Sequence, residues 1–253
     1  MTSPHLTFLT GASRGMGLAM ASQLLRAGHD LVCLSRRTDD RLAAQAAAAG
    51  LACEQWPLDL AQPEAAAMRL AQWLHDRGPA GLASVTLINN AGVIPRLAPI
   101  GDIPAGDLSN ALRVGLEAPM LLTGAFLRAT RGWDCARKVL NISSGLGRRA
   151  MASSAAYCAA KAGMDHYTRC VALEEALQPG GAQVCSLAPG VIDTDMQVQL
   201  RGADADAFPD VGGFINLKSQ GQLASPQDAA ARVLAYLARP NFGSQPVADV
   251  RDA

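Results

Sequence analysis

The sequence predicts an α/β fold: a doubly wound, parallel sheet of seven strands with helices on both faces. Two observations support it. Short strand-like runs alternate with helical patterns along the 253 residues, with no low-complexity linker between them, and strands separated by helices pair in parallel beneath a helical layer on each face. The first run, Leu6 to Thr10, is apolar enough for a buried strand. It leads directly into Gly11-Ala12-Ser13-Arg14-Gly15-Met16-Gly17, and a helical pattern follows from Leu18 to Ala27.

Asp30 to Ser35 reads as the second strand, Arg41 to Ala49 as an alanine-rich helix and Leu51 to Pro57 as the third strand. A helix over Pro63 to Asp76 leads to the fourth strand, Val85 to Asn89. Two long helices, Asp107 to Thr130 and Ser154 to Gln178, flank the fifth strand, Lys138 to Ser143, and the sixth runs from Gln183 to Leu187. Ser225-Pro226-Gln227-Asp228 is a capping signal with proline at the first helical position, and that helix should end near Arg239-Pro240. Val247 to Val250 supplies a short seventh strand. The stretch from Gln197 to Leu223 exceeds an ordinary connection and reads either as a substrate lid containing a short helix or as a disordered surface excursion. Phe208, Val211, Phe214, Ile215 and Leu217 favour the lid, because a free loop seldom carries so much apolar surface. One catalytic domain is expected over 1–253.

Hydrophobic residues make up 49% of the chain, enough for a sizeable core, and the formal net charge is zero. No basic run or charge block points to a nucleic acid or an acidic membrane. Met1 to His5 carries neither a basic region nor an apolar export segment, so cytoplasm is the expected compartment. Cys33, Cys53, Cys135, Cys158, Cys170 and Cys185 stand singly, without the paired spacings that hold zinc, and read as reduced thiols. Cys158 adjoins Tyr157 but belongs to a different helical face, which favours an inert thiol over a nucleophile. His5, His29, His75 and His166 form no ligand pattern, and no metal is expected.

The glycines have separable roles. Gly11 permits a tight turn, Gly15 lets backbone approach a pyrophosphate, and Gly17 lets the helix pack on the strand, with phosphates at the helix's positive end. A second constellation lies in Ala156-Tyr157-Cys158-Ala159-Ala160-Lys161, with Ser144 upstream. Positions i and i+4 share a helix face, so the Lys161 ammonium is expected beside the Tyr157 phenol, lowering its pKa and suiting it to act as a general acid. Ser144, at the end of a strand, is placed to hydrogen-bond a carbonyl oxygen whose charge changes during reduction.

Taken together, Thr10-Gly11-x-x-x-Gly15-x-Gly17, Asn89-Asn90-Ala91-Gly92, Ser144, Tyr157-x-x-x-Lys161 and Pro189-Gly190 resemble the short-chain dehydrogenase/reductase family, in that family's order and across nearly the whole chain. Leu87 to Gly92, Val171 to Glu175 and Ala188 to Gln197 resemble its sepiapterin reductase and benzil reductase branch. The resemblance implies a Rossmann-type catalytic domain that binds NADP(H) and reduces a small carbonyl substrate, with Ser144, Tyr157 and Lys161 catalytic. It implies cofactor contacts from Gly11, Ser13, Arg14, Gly15, Met16 and Gly17, and from Asp59 and Leu60 at the adenine. Asn89, Ala91 and Gly92 would line the adenosine ribose. Tyr157, Lys161, Pro189, Gly190, Ile192, Thr194, Asp195 and Met196 would follow the nicotinamide, with Thr194 donating to the carboxamide.

Charge argues for the phosphorylated cofactor. A carboxylate ending the second strand selects the ribose 2′-hydroxyl, whereas Ser35-Arg36-Arg37 ends it here, with Arg14 facing the same corner. The resemblance adds Thr38 to the 2′-phosphate side. Substrate is expected against Ser144, Gly145, Tyr157 and Gly190. By resemblance Asp249 would grip a pterin's amino-pyrimidine, although an aspartate also ends the last strand of relatives that reduce other ketones. Met196, Phe208 and Phe214 could line an apolar pocket for an aromatic dicarbonyl. One departure stands out: Val114-Gly115-Leu116 occupies the place where the family usually has an asparagine that holds a water in the proton relay. A backbone carbonyl or an extra water could substitute.

Two other classes stay open. A dinucleotide-binding sensor without turnover is hinted at only by Gly115. A 3-oxoacyl thioester reductase would need a basic patch near the lid for its acyl carrier, where Arg201 and Lys218 are the only cations. The two long helices are the family's usual dimer surface, so a homodimer, or a tetramer built from it, is expected.

Overall fold

The computed structural model describes residues 4–252. Residues 1–3, on which part of the export argument rests, and residue 253 lie outside the described residues. Seven strands form one sheet: β1 (His5–Thr10), β2 (His29–Ser35), β3 (Cys53–Pro57), β4 (Ser84–Asn89), β5 (Ala136–Ile142), β6 (Gln183–Ala188) and β7 (Val247–Asp249). Their order is β3-β2-β1-β4-β5-β6-β7 and every pairing is parallel. The expected α/β class and strand count hold.

Neighbouring residues on a strand face opposite ways, and here both ways lead into apolar packing. Leu9, Ile88, Leu140 and Cys185 join the core beneath α1 (Gly15–Arg26), α2 (Asp40–Ala49) and α9 (Pro226–Leu237). Phe8, Leu87, Val139 and Val184, each one residue earlier, join the core beneath α3 (Pro63–Arg77) and α5 (Ala118–Ala129). The ninth helix begins as expected: Ser225 Oγ accepts from the Asp228 amide at 3.1 Å, with Pro226 just inside.

The helix expected over Asp107 to Thr130 is broken. Its first part, α4 (Ala105–Leu112), meets α5 through a π-helical turn, Arg113–Glu117. Pro119 supplies the reason. It has no N–H to give the carbonyl four residues back, that of Gly115, and its ring would clash there. The chain widens by one residue, and the Ala118 amide reaches Arg113 O instead.

The stretch Gln197 to Leu223 is about half helical, with α7 (Asp195–Arg201) and α8 (Val211–Ser219) rather than one short helix. Between β5 and β6 runs α6 (Ala155–Ala176). Crossovers leave β1 in one direction along the sheet and β4 in the other, so the strand order reverses between them. A crevice opens at their carboxyl ends.

Candidate active site

That crevice is a cleft of about 1090 Å3, lined by the glycine turn, the ends of β2 and β3, Asn90 to Ile94, Ser143 to Leu146, Tyr157, Lys161 and the segment from Ala188 to Val198. At its floor, Gly11 and Gly15 have φ of 70° and 55°, where a side chain is strained. A Cβ on Gly17 would fall 2.0 Å from Gly11 O, so α1 approaches β1 only because residue 17 is glycine. The start of α1 carries no side-chain cap and no acidic residue in its first turn. Its positive end and free N–H groups therefore face the cleft, a cradle for an anion such as a pyrophosphate.

The turn is pinned from two sides. Ser35 Oγ accepts from the Ala12 amide at 2.8 Å. Asn90 Nδ2 donates to Thr10 O at 2.9 Å, while the Asn90 and Ala91 amides both donate to Thr10 Oγ1 at 2.9 Å. Arg36 and Arg37 are exposed at the cleft edge beside Ser35. Arg14 also lines the cleft, but its Nη1 donates to Asp195 Oδ2 at 2.8 Å, tying the glycine turn to the start of α7. These residues fit a dinucleotide: an uncapped helix start for the pyrophosphate and two arginines that, among the described residues, pair with no carboxylate, where a ribose 2′-phosphate would lie.

At the other end, Ser144, Tyr157 and Lys161 reach one wall. Ser144 sits before a 3-10 turn, Gly145–Gly147, its Oγ accepting from the Leu146 amide at 3.2 Å. Tyr157 is half-buried in the first turn of α6, and Lys161 is buried one turn on. Lys161 Nζ donates to Ile142 O at 2.7 Å and lies 5.8 Å from the centroid of the Tyr157 ring. Burial pushes the lysine down to about 8, against the pull of Asp165. The expected lowering of the phenol is not found. Burial raises the Tyr157 pKa, and the Ser144 hydroxyl acts to lower it. A raised value keeps the phenol protonated at neutral pH, as a general acid must be.

Residues 5–205 match the family model of the short chain dehydrogenases. The chain belongs to the short-chain dehydrogenase family. It is 33% identical over 234 residues to a benzil reductase ((S)-benzoin forming) of Bacillus cereus, covering 92% of this chain and 94% of that one. It is 31% identical to the sepiapterin reductase of Meriones unguiculatus, covering 96% of this chain and 95% of the relative. A crystal structure from Agrobacterium tumefaciens with bound NADP superposes with a TM-score of 0.78 at 28% identity, covering 97% of this chain and 94% of that one.

Within this short-chain dehydrogenase, several expected site residues are displaced. Asp249 is buried, receiving Arg251 Nε at 2.8 Å and Nη2 at 2.6 Å, and does not line the cleft. Its acceptor atoms are taken by a neighbour two residues on, so it is not placed to grip a pterin. Arg251 lines the cleft instead. Asn89 is buried away from it, donating to Asn141 Oδ1 at 2.8 Å, and Asn90 lines the cleft in its place. The alternation along β4 sends consecutive asparagines different ways, a signal the sequence offered. Thr38 lies outside the lining, beyond the end of β2. Phe208 is wholly buried behind the cleft, stacked on Phe214 at 5.6 Å, while Phe214 and Met196 reach the lining. Gly115 packs on α6: an added Cβ would stand 3.1 Å from the Ala160 Cβ, beside Lys161. The remaining expected residues, including Ser13, Met16, Asp59, Leu60, Gly92, Gly145, Pro189, Gly190, Ile192 and Thr194, line the cleft.

Proposed function

We propose that this chain is an NADPH-dependent carbonyl reductase acting on a small ketone or vicinal dicarbonyl, benzil-like or sepiapterin-like. The observation that carries the reading is the single cleft with the phosphate cradle and arginine pair at one end and Ser144, Tyr157 and Lys161 at the other. NADPH bound there supplies the hydride. The Tyr157 hydroxyl gives its proton to the oxygen that becomes an alkoxide, the Ser144 hydroxyl hydrogen-bonds the same oxygen, and the Lys161 ammonium holds the nicotinamide ribose and favours the phenolate left behind. Arg36 and Arg37 select the 2′-phosphate. Substrate lies against Ser144, Gly145, Tyr157 and Gly190, under a lid formed by 197–223.

The thioester reductase reading loses ground, since both lid cations are engaged: Lys218 Nζ and Arg201 Nη2 each contact Asp193. The sensor reading would require a site that binds NADPH and consumes none. The chain acts as one catalytic domain in the cytoplasm, where its six free cysteines stay reduced.

NADPH absorbance followed with benzil, sepiapterin, a simple quinone and an acetoacetyl thioester tests the reading. Benzil or sepiapterin should be reduced, and Tyr157→Phe should lower kcat by about 100-fold or more with little change in NADPH affinity. Undiminished turnover in that variant would remove Tyr157 as the acid.

A further inference from the structure

The substrate end of the cleft holds a positive charge that the reaction above leaves unused. The loop from Ser144 to Tyr157 contributes two consecutive arginines that turn different ways. Arg148 Nη2 donates to Ala248 O at 2.7 Å, its Nε to Asp165 Oδ2 at 3.2 Å, and its Nη1 lies 3.9 Å from Asp249 Oδ2. Arg149 is exposed and lines the cleft, and among the described residues its guanidinium meets neither a carboxylate nor another hydrogen-bond acceptor. Arg251, also in the lining, takes Asp249 at 2.6 Å. Three guanidiniums thus share two carboxylates, Asp165 and Asp249, and the surplus falls on Arg149. The acidic residues of the lining do not offset it: Asp193 holds Lys218 and Arg201, Asp195 holds Arg14, and Asp59 follows β3 at the adenine end.

The same loop carries a second, independent sign of a ligand. Ser154, which lines the cleft and is 2% exposed, stands at the start of α6, yet its hydroxyl caps no amide and has no partner among the described residues. Serine in that position ordinarily accepts from the first turn of its helix, and a buried hydroxyl left unpaired is destabilising. The residue before it, Ser153, is the one non-glycine residue among those described with a positive φ, 58°, and its Oγ donates to Ala207 O in the lid at 2.6 Å. Strain of this kind persists where the surroundings hold a side chain in a set place.

We propose that Arg149 and Ser154 bind a carboxylate of the substrate, making the reducible compound a 2-oxo acid or a close relative with its anionic group next to the carbonyl. The inference rests on the carbonyl-reductase reading and names its substrate class. Ser154 immediately precedes α6 and Tyr157 stands in its first turn, and both line the cleft, an arrangement that suits two adjacent functional groups of one molecule. Met151, Met196 and Phe214 offer apolar surface for the remainder of the substrate. In the reaction, hydride passes from the dihydronicotinamide to the carbonyl carbon and a proton passes from Tyr157 to its oxygen. A 2-hydroxy acid and NADP+ result, the carboxylate unchanged.

Phenylglyoxylate and its methyl ester form the test pair, with benzil as the neutral reference. The protein should reduce the acid with a kcat/KM at least about tenfold above the ester, chiefly through KM. Arg149→Met should collapse that ratio toward one, and Arg149→Lys should keep part of it. Calorimetric titration of mandelate against methyl mandelate, in the presence of NADP+, reads the same contact without turnover and should show the same preference, lost in Arg149→Met. Equal handling of acid and ester by the unaltered protein, while benzil is reduced, would overturn the carboxylate site and leave the reductase reading standing. Failure to reduce benzil, sepiapterin or either test compound would overturn the reductase reading, and the mandelate titration would still decide whether the anion site exists.

Discussion

Lys161 combines two properties that ordinarily exclude one another, since it is 4% exposed and yet must be charged to work. Burial lowers its pKa from 10.5 to about 8, which leaves the ammonium form dominant at neutral pH. Above about 8 the charge is lost, and with it the proposed ribose contact and the proposed support for the phenolate. Tyr157 stays protonated over that range, because burial raises its own value. The falling alkaline limb of kcat/KM therefore belongs to the lysine. Stability moves the other way. Between about 8 and 10.5 the unfolded chain binds a proton that the folded chain does not, so this group's contribution makes the fold more stable as pH rises through that window. Activity should fall above pH 8 while the urea midpoint, compared with Lys161→Met to subtract every other titration, rises. A midpoint difference that stays flat from pH 7 to 10 would contradict the buried ammonium.

The π-helical turn between α4 and α5 is where element-scale packing sets the site. Gly115 lies in that turn against Ala160, the residue before Lys161, with a virtual Cβ 3.1 Å from the Ala160 methyl. The next residue, Leu116, seats on Gly163, where a Cβ would meet Leu116 Cδ2 at 2.9 Å. Glycines on both sides of the joint let the two helices close. Gly115→Ala should therefore cost about 1–3 kcal/mol by overpacking, and adding Ala160→Gly should recover much of it. Thermal melts of the four proteins in that cycle measure the coupling, and additive effects would show that the two residues do not meet. Much of the fold was legible because its signals are local. Ser225 and Pro226 start a helix by their own chemistry, and the three glycines announce a turn wherever they follow an apolar run. The π turn was not legible, since the apolar pattern continues through it and only Pro119, one turn on, reveals the break. Asp249 failed for a related reason: the reading assigned it by analogy to a ligand, while Arg251, two residues away, already satisfied it. Arg251 in the cleft had no sequence signal of its own.

At the scale of the molecule, both faces of the sheet are covered, yet apolar side chains remain outside on the helices of one face. Met120 and Leu121 on α5, Leu173 on α6 and Leu177 just past its C-terminal end are 46%, 37%, 71% and 83% exposed. All four belong to the two helical segments expected to pair, and a stable interface needs about 800 Å2 from each partner, more than isolated side chains supply. The homodimer expected from the sequence would pack α5 and α6 of one chain on those of the other. Replacing Leu173 and Leu177 together with glutamate places like charges across a two-fold contact and should yield a monomer in sedimentation velocity. Leu173 is sixteen residues beyond Tyr157 on the same helix, about 24 Å along its axis, so the cleft is outside direct reach of the change. The monomer should accordingly keep NADPH binding. A wild-type protein that sediments as a monomer at micromolar concentration would refute the assembly, and a variant that stays dimeric would move the interface to another face.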